Sequence, residues 1–192
     1  IIEDFFCSRL AIDILNTKGK IDLIIANNVL AHVPNINDFL NGIKTLLKND
    51  GLATFEFPYL LNLIDEIQFD TIYHEHFSYF SMISINHILN QNDLRIFRIE
   101  RIPTHGGSLR VFAQNKAGKQ KIEMSVINLI NEEKKRNILS LKFYNKFQSK
   151  VNKVKNNFLL FLIEKKKCGK TVFGYGAAAK GNTLLNYSGV KS

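Results

Sequence analysis

The stretch YHEHFSYFS, Tyr73–Ser81, sets Tyr73, His74, Glu75 and His76 in an unbroken row between apolar segments. Buried without partners, such groups cost about 1–3 kcal/mol each, so their concentration in one place points to a task. If the stretch is extended, Tyr73 and Glu75 share one face and His74 and His76 the other; if helical, Tyr73 and His76 meet across one turn. Either geometry sets a base beside a phenol. Imidazole titrates near neutrality, a phenol donates to a developing oxyanion, and a carboxylate can hold an imidazole in one tautomer, so the chemistry on offer is acid–base. Two other readings stand beside it: His74 and His76 as a pair of metal ligands, and a polar cluster with only structural work. The metal reading lacks the glutamate that a cupin-type site places a few residues later, where Phe80 and Ser81 stand, and HExxH is absent.

The elements around this stretch must position it. From Ile21 the run DLIIANNVLAHVPN has the length of a buried parallel strand and ends in small polar residues. A helix follows, with Asn37 or Asp38 as cap, Phe39, Ile43, Leu46 and Leu47 at helical spacing, and Asn49-Asp50-Gly51 as the closing turn. LATFEFPY restores strand character as far as Pro58. Strand, helix and strand predict a right-handed parallel crossover in an open α/β sheet, in which ligands gather outside the carboxyl ends of the strands. Asn27, Asn28 and His32 fall at that end, although each alone also reads as a turn or packing residue. Ser84–Asn92 predicts a short helix, and LRIFRIERI and SLRVFAQN, divided by Pro103–Gly107, predict an antiparallel pair at the end of the sheet.

Beyond Ala117 the chain becomes lysine-rich and periodic, which predicts helix over 122–167 with one break. TVFGYG then reads as a strand running into AAAKGNTLLN, a glycine turn that opens a helix. Its N–H groups could cradle a phosphate with Lys180 adding charge, and tight helix–strand packing explains the same glycines. The domain division expected is 1–116 and 117–192.

Composition narrows the class. With 192 residues, 45% of them hydrophobic, the chain can bury a core. Its formal charge is +9, but the lysines alternate with apolar residues as on solvated helix faces, so no nucleic-acid partner is expected. The longest apolar runs, such as FLLFLI, fall far short of the ~20 residues that cross a bilayer, and no signal segment opens the chain; a cytoplasmic protein without a membrane partner is expected. Cys7 and Cys168 lie far apart in no metal-ligand spacing and read as inert thiols. The chain opens at Ile1 with no methionine before it, which reads as a fragment.

Five blocks together, ANNVLAHVPNINDFL, FPYLLNLI, FDTIYHEHFSYFS, PTHGGSLRVF and GYGAAAKGNTLLN, resemble in order and spacing the sugar C-methyltransferases that use S-adenosylmethionine. The resemblance covers nearly the whole chain and is weakest from Lys119 to Lys167, where only the helical period matches. It implies the C-terminal half of a Rossmann-like class I methyltransferase domain, followed by helices and the start of a second α/β domain. Members also carry a zinc-binding N-terminal domain, which is missing here together with the glycine-rich loop that grips the methionine part of the cofactor. The implied reaction passes a methyl group from S-adenosylmethionine to a carbon of a keto nucleotide-sugar through an enolate, and this chain alone is expected to be inactive.

Carried over by position, the resemblance implies His76 as the base, with Tyr73 as the alternative base, Tyr73 and Glu75 orienting the imidazole or bonding substrate oxygens, and His32 as a further polar partner. It implies Asn27 and Asn28 along the cofactor, Phe5 and Phe6 near its adenine, and Lys180 and Asn182 near the substrate phosphates. The partner is then a nucleotide-linked keto-sugar, for a protein monomeric when complete or self-associating here through an exposed sheet edge. The competing reading is a non-catalytic remnant, or half of a split protein, that binds a nucleotide sugar or a partner subunit.

Overall fold

A computed structural model describes residues 1–176 and 178–191. The chain forms two compact units interleaved in sequence: residues 1–60 with 77–137, and residues 61–76 with 138–192.

The first unit is built on a four-stranded sheet of order β1-β2-β4-β3, formed by β1 (Ile21–Asn27), β2 (Leu47–Pro58), β3 (Leu94–Ile102) and β4 (Ser108–Asn115). β1 and β2 are parallel, and β4 runs antiparallel to both β2 and β3. The crossover from β1 to β2 is α2 (Ile36–Leu46), whose apolar residues Phe39, Leu40, Ile43 and Leu46 are buried. Its cap is Asn35, accepting from the Asp38 N–H at 3.2 Å, in place of the expected Asn37 or Asp38. Nor does the Asn49-Asp50-Gly51 turn close it. The helix passes straight into β2 at Leu47, and the NDG residues bulge out where the register jumps between Ile21↔Leu47 and Leu23↔Leu52. A Cβ on Gly51 would stand 2.9 Å from the Ile21 carbonyl oxygen, so the bulge needs glycine to close against β1.

α1 (Ser8–Lys18) packs on α2, while α4 (Met82–Gln91) and α5 (Met124–Lys135) pack on β3. Phe55, Phe57, Leu109 and Val111 of the central strands are fully buried. Ser81 caps α4 through a reciprocal pair with Ser84: each backbone N–H donates to the other's hydroxyl, at 3.0 and 3.1 Å.

The second unit holds most of α3 (Leu60–Asp65), α6 (Leu141–Tyr144), α7 (Phe147–Lys167) and α8 (Ala179–Ser188) around Leu61, Leu63, Ile64, Phe69, Ile138 and Val151. The helical stretch expected over 122–167 is broken twice, at Asn137, which takes a left-handed φ of 56°, and again after Tyr144. The strand expected at TVFGYG does not form: residues 171–176 carry no ladder, because among the described residues no strand lies beside them to complete the hydrogen bonds. The helix expected after it is α8. Among the described residues no helix is long and apolar enough to cross a membrane.

Candidate active site

The turn that carries the polar row belongs to the second unit. Phe69 anchors it from the core, and a short 3-10 turn, Phe69–Thr71, follows. There the Thr71 hydroxyl donates to the Gln68 carbonyl at 2.8 Å. Residues 73–76 form neither strand nor helix but a single turn, in which the His76 N–H donates to the Tyr73 carbonyl at 3.1 Å. Tyr73 and His76 thereby meet, as the spacing of three allows.

The His76 ring is held at both nitrogens. Nδ1 lies 2.9 Å from the Thr71 carbonyl oxygen, and Nε2 lies 3.3 Å from the Tyr73 hydroxyl. A carbonyl only accepts, so Nδ1 carries the proton and Nε2 presents its lone pair to the phenol. The two rings stack with centroids 4.4 Å apart and planes 31° from parallel. Burial raises the Tyr73 phenol above its ordinary pKa, and the Glu75 charge adds to that, so Tyr73 rests as the phenol. Glu75 thus acts on the phenol, whereas the orienting acceptor at Nδ1 is a backbone oxygen. His74 and Glu75 face outward, with Nε2 and Oε1 4.0 Å apart. No cluster of three metal-ligating side chains occurs among the described residues.

Tyr73 and His74 form one wall of a cleft of about 530 Å³, and Asn182, Thr183, Asn186 and Tyr187 of α8 form the other. Its volume falls within the roughly 300–1,000 Å³ typical of small-molecule sites. Asn182 and Asn186, four residues apart, lie on one face of the helix. Tyr187 is fixed from behind: its ring lies 5.2 Å from that of Phe69, its hydroxyl donates to Asn152 Oδ1 at 2.7 Å, and Gln148 Nε2 donates to it at 2.6 Å. Lys180 is half-buried in the first turn of the same helix.

A second set of polar residues gathers in the first unit, at the carboxyl ends of the parallel strands. Asn27 pairs in register with Glu56, and the Asn28 N–H donates to the Glu56 carbonyl at 2.8 Å from a left-handed φ of 55°. The Glu56 carboxylate is buried and accepts from Arg110 Nη2 at 2.9 Å and from the Thr104 hydroxyl at 3.2 Å. Asn27 Oδ1 is buried with no hydrogen-bond partner among the described residues. Exposed His32 ends the 3-10 turn Leu30–His32. Phe5 is exposed, while Phe6 packs edge-on against Phe39 at 5.3 Å and so serves the α1–α2 contact.

Two family models divide the chain between them. One, described as a methyltransferase domain, matches residues 5–99, and the other, described as a C-methyltransferase C-terminal domain, matches residues 103–192. The C-methyltransferase NovU of Streptomyces niveus is 35% identical over 185 residues, which are 96% of this chain and 44% of that protein. Over both segments the chain is similar to C-methyltransferases. It spans less than half the length of this curated relative. Among solved structures, the magnesium protoporphyrin IX methyltransferase of Synechocystis is 19% identical, with 49% of this chain and 44% of that one covered at a TM-score of 0.38. The 1,6-didemethyltoxoflavin-N1-methyltransferase of Burkholderia thailandensis is 17% identical, with 49% and 43% covered at 0.38. Likenesses this slight carry no argument about chemistry.

The cleft draws on both matched segments, since Tyr73 lies in the first and Asn182 in the second. Sequence reasoning missed the Thr71 carbonyl, Asn186 and Tyr187 in the second unit, and the Glu56–Arg110 pair in the first. The Thr71 carbonyl has no signature in residue type. Asn186 and Tyr187 repeat the faces of Asn182 and Thr183 one turn on, a periodicity visible in LLNYS. The Glu56–Arg110 pair was legible only once β2 and β4 were placed in register.

Proposed function

We propose that this chain supplies the proton-abstracting and sugar-binding parts of a methyltransferase that uses S-adenosylmethionine to methylate a carbon of a nucleotide-linked keto-sugar. The observation that carries the reading is the His76 imidazole, fixed through Nδ1 by the Thr71 carbonyl and turned through Nε2 to Tyr73 at the wall of the cleft.

A carbon beside a ketone becomes a nucleophile when its proton is removed. In the proposed step, His76 Nε2 takes that proton, directly or through the Tyr73 hydroxyl, and the electron pair of the C–H bond moves into the enolate. The imidazolium that forms keeps its Nδ1–H on the Thr71 carbonyl, and so holds its orientation while charged. Tyr73, kept protonated by burial, donates to the oxygen on which negative charge collects. Asn182 and Asn186 offer amide donors and acceptors to the sugar–phosphate part, with Lys180 adding positive charge from the same helix.

S-adenosylmethionine, when bound, supplies an electrophilic methyl group. The unpartnered Oδ1 of Asn27 fits such a ligand, because a buried acceptor at a strand end gains most from a donor such as an ammonium or ribose hydroxyl. Asn27 and Asn28 would hold it, together with exposed Phe5, whereas Phe6 is committed to Phe39.

The test is methyl transfer to the keto-sugar by the whole methyltransferase carrying His76→Asn or Tyr73→Phe, with cofactor affinity measured alongside. Loss of the base lowers kcat by about 10²–10⁴-fold with cofactor affinity unchanged. A His76→Asn protein of ordinary turnover refutes the assignment.

A further inference from the structure

The Tyr73–His76 turn rides on a segment that leaves the first unit after Leu60 and returns to it at Phe77. Within the first unit the two ends of this excursion are tied together. Tyr59 forms a parallel bridge with Phe80, and the Leu60 N–H donates to the Phe80 carbonyl at 3.0 Å. The Phe77 N–H donates to the Ala31 carbonyl at 2.8 Å.

A buried carboxylate closes the same neck from a distant helix. Glu133 of α5 is 0% exposed. Its Oε1 accepts from the Tyr59 hydroxyl at 2.8 Å, on the outgoing side, and from the Met82 N–H at 2.6 Å, on the returning side. Oε2 accepts from the Ile83 N–H at 2.7 Å. Arg101 lies over the Tyr59 ring at 5.7 Å and pairs with Glu132, which fastens α5 to β3 beside this junction.

Capping α4 alone does not call for this arrangement. The reciprocal cap satisfies the Ser81 and Ser84 N–H groups and leaves those of Met82 and Ile83 to Glu133, but water or a neutral acceptor would serve them without the desolvation penalty of a buried carboxylate. Beyond those two bonds Glu133 accepts from Tyr59, and so joins strand end to helix start across the mouth of the excursion.

We propose that Glu133 is a positioning residue for the Tyr73–His76 turn, a clasp that holds together the two ends of the segment carrying it. The inference rests on the catalytic reading of that turn, but the clasp is measured without substrate, so its failure leaves that reading standing. The experiment is amide hydrogen exchange followed by mass spectrometry on the protein and on its Glu133→Gln and Tyr59→Phe variants, at a temperature where circular dichroism shows all three folded. The expected result is exchange faster by about tenfold or more in peptides covering 61–80, with peptides of β2 and β4 unchanged. His76 15N resonances shift with it, because the Thr71 and Tyr73 partners of the ring ride on the same segment. Acceleration confined to α4 and α5, or spread evenly over the chain, with His76 resonances unmoved, overturns the proposal. Where Glu133→Gln fails to fold, Tyr59→Phe, which leaves both backbone bonds to Glu133 intact, decides by the same criteria.

Discussion

Replacing Glu133 by alanine removes one acceptor group from three donors. The Met82 N–H and the Tyr59 hydroxyl belong to residues that are 0% and 2% exposed, so no water replaces the lost oxygen there. Ile83 is half-buried, and its N–H can turn to solvent. An orphaned buried donor costs about 1–3 kcal/mol, and stripping a buried charge from its partners costs about 3–5 kcal/mol. Two full orphans and one partial one therefore place Glu133→Ala at about 3–5 kcal/mol, or about 10 °C in Tm for a chain of this size. Thermal and urea unfolding followed by the circular dichroism of tyrosine reads this directly, since the sequence has no tryptophan. Tyr59→Phe removes one donor of the three and costs about 1–2 kcal/mol. The double variant costs less than the sum, because the phenylalanine no longer leaves an unpaired hydroxyl. A loss below about 1 kcal/mol for Glu133→Ala, or strict additivity with Tyr59→Phe, would refute the reasoning.

Gly42→Ala in α2 sets a Cβ 2.9 Å from Phe6 Cε1 and 3.1 Å from the Cys7 carbonyl oxygen. Forcing α1 and α2 apart lowers stability by about 1–3 kcal/mol in urea titration, whereas Gly181→Ala, with open space around it, does not. Tyr59 gives an alkaline dependence: burial first, then the charge of Glu133, raises its phenol above the ordinary value of 10.0. The unfolded chain gives up that proton first, so the stability is fully present below pH 10 and falls as the pH rises past it. Urea midpoints measured on either side of that value should show the decline in the wild type and a smaller one in Tyr59→Phe. Asn182→Ala raises KM for the nucleotide-sugar by about tenfold and leaves kcat nearly unchanged, as loss of uniform binding requires.

The parallel crossover and the terminal antiparallel pair were legible because their apolar periods match their elements, and alternation in LRIFRIERI leaves little choice of face. The approach of Tyr73 to His76 was legible from a spacing of three, although the turn that realises it is neither of the two regular structures considered. Other features had no such signal. Asn49-Asp50-Gly51 carries the chemistry of a turn and became a bulge, since the strand began before it and the extra residues had to go somewhere. TVFGYG has strand composition, but a strand exists only through its neighbours, and none lies beside it among the described residues. Glu133 sits in NEEKK, a run that reads as solvated helix surface; only the packing of α5 on α4 turns it inward. Backbone acceptors such as Thr71 O are invisible to any reading of side-chain types.

The measurement that bears most directly on the proton-abstracting role proposed for His76 is solvent deuterium uptake. The keto-sugar nucleotide is incubated with the protein in heavy water, and incorporation at the carbon beside the ketone is read by NMR. With His76 intact, deuterium enters that position; His76→Asn abolishes the uptake while the circular dichroism of the folded chain stays unchanged. Uptake at the wild-type rate in the His76→Asn protein would contradict the account.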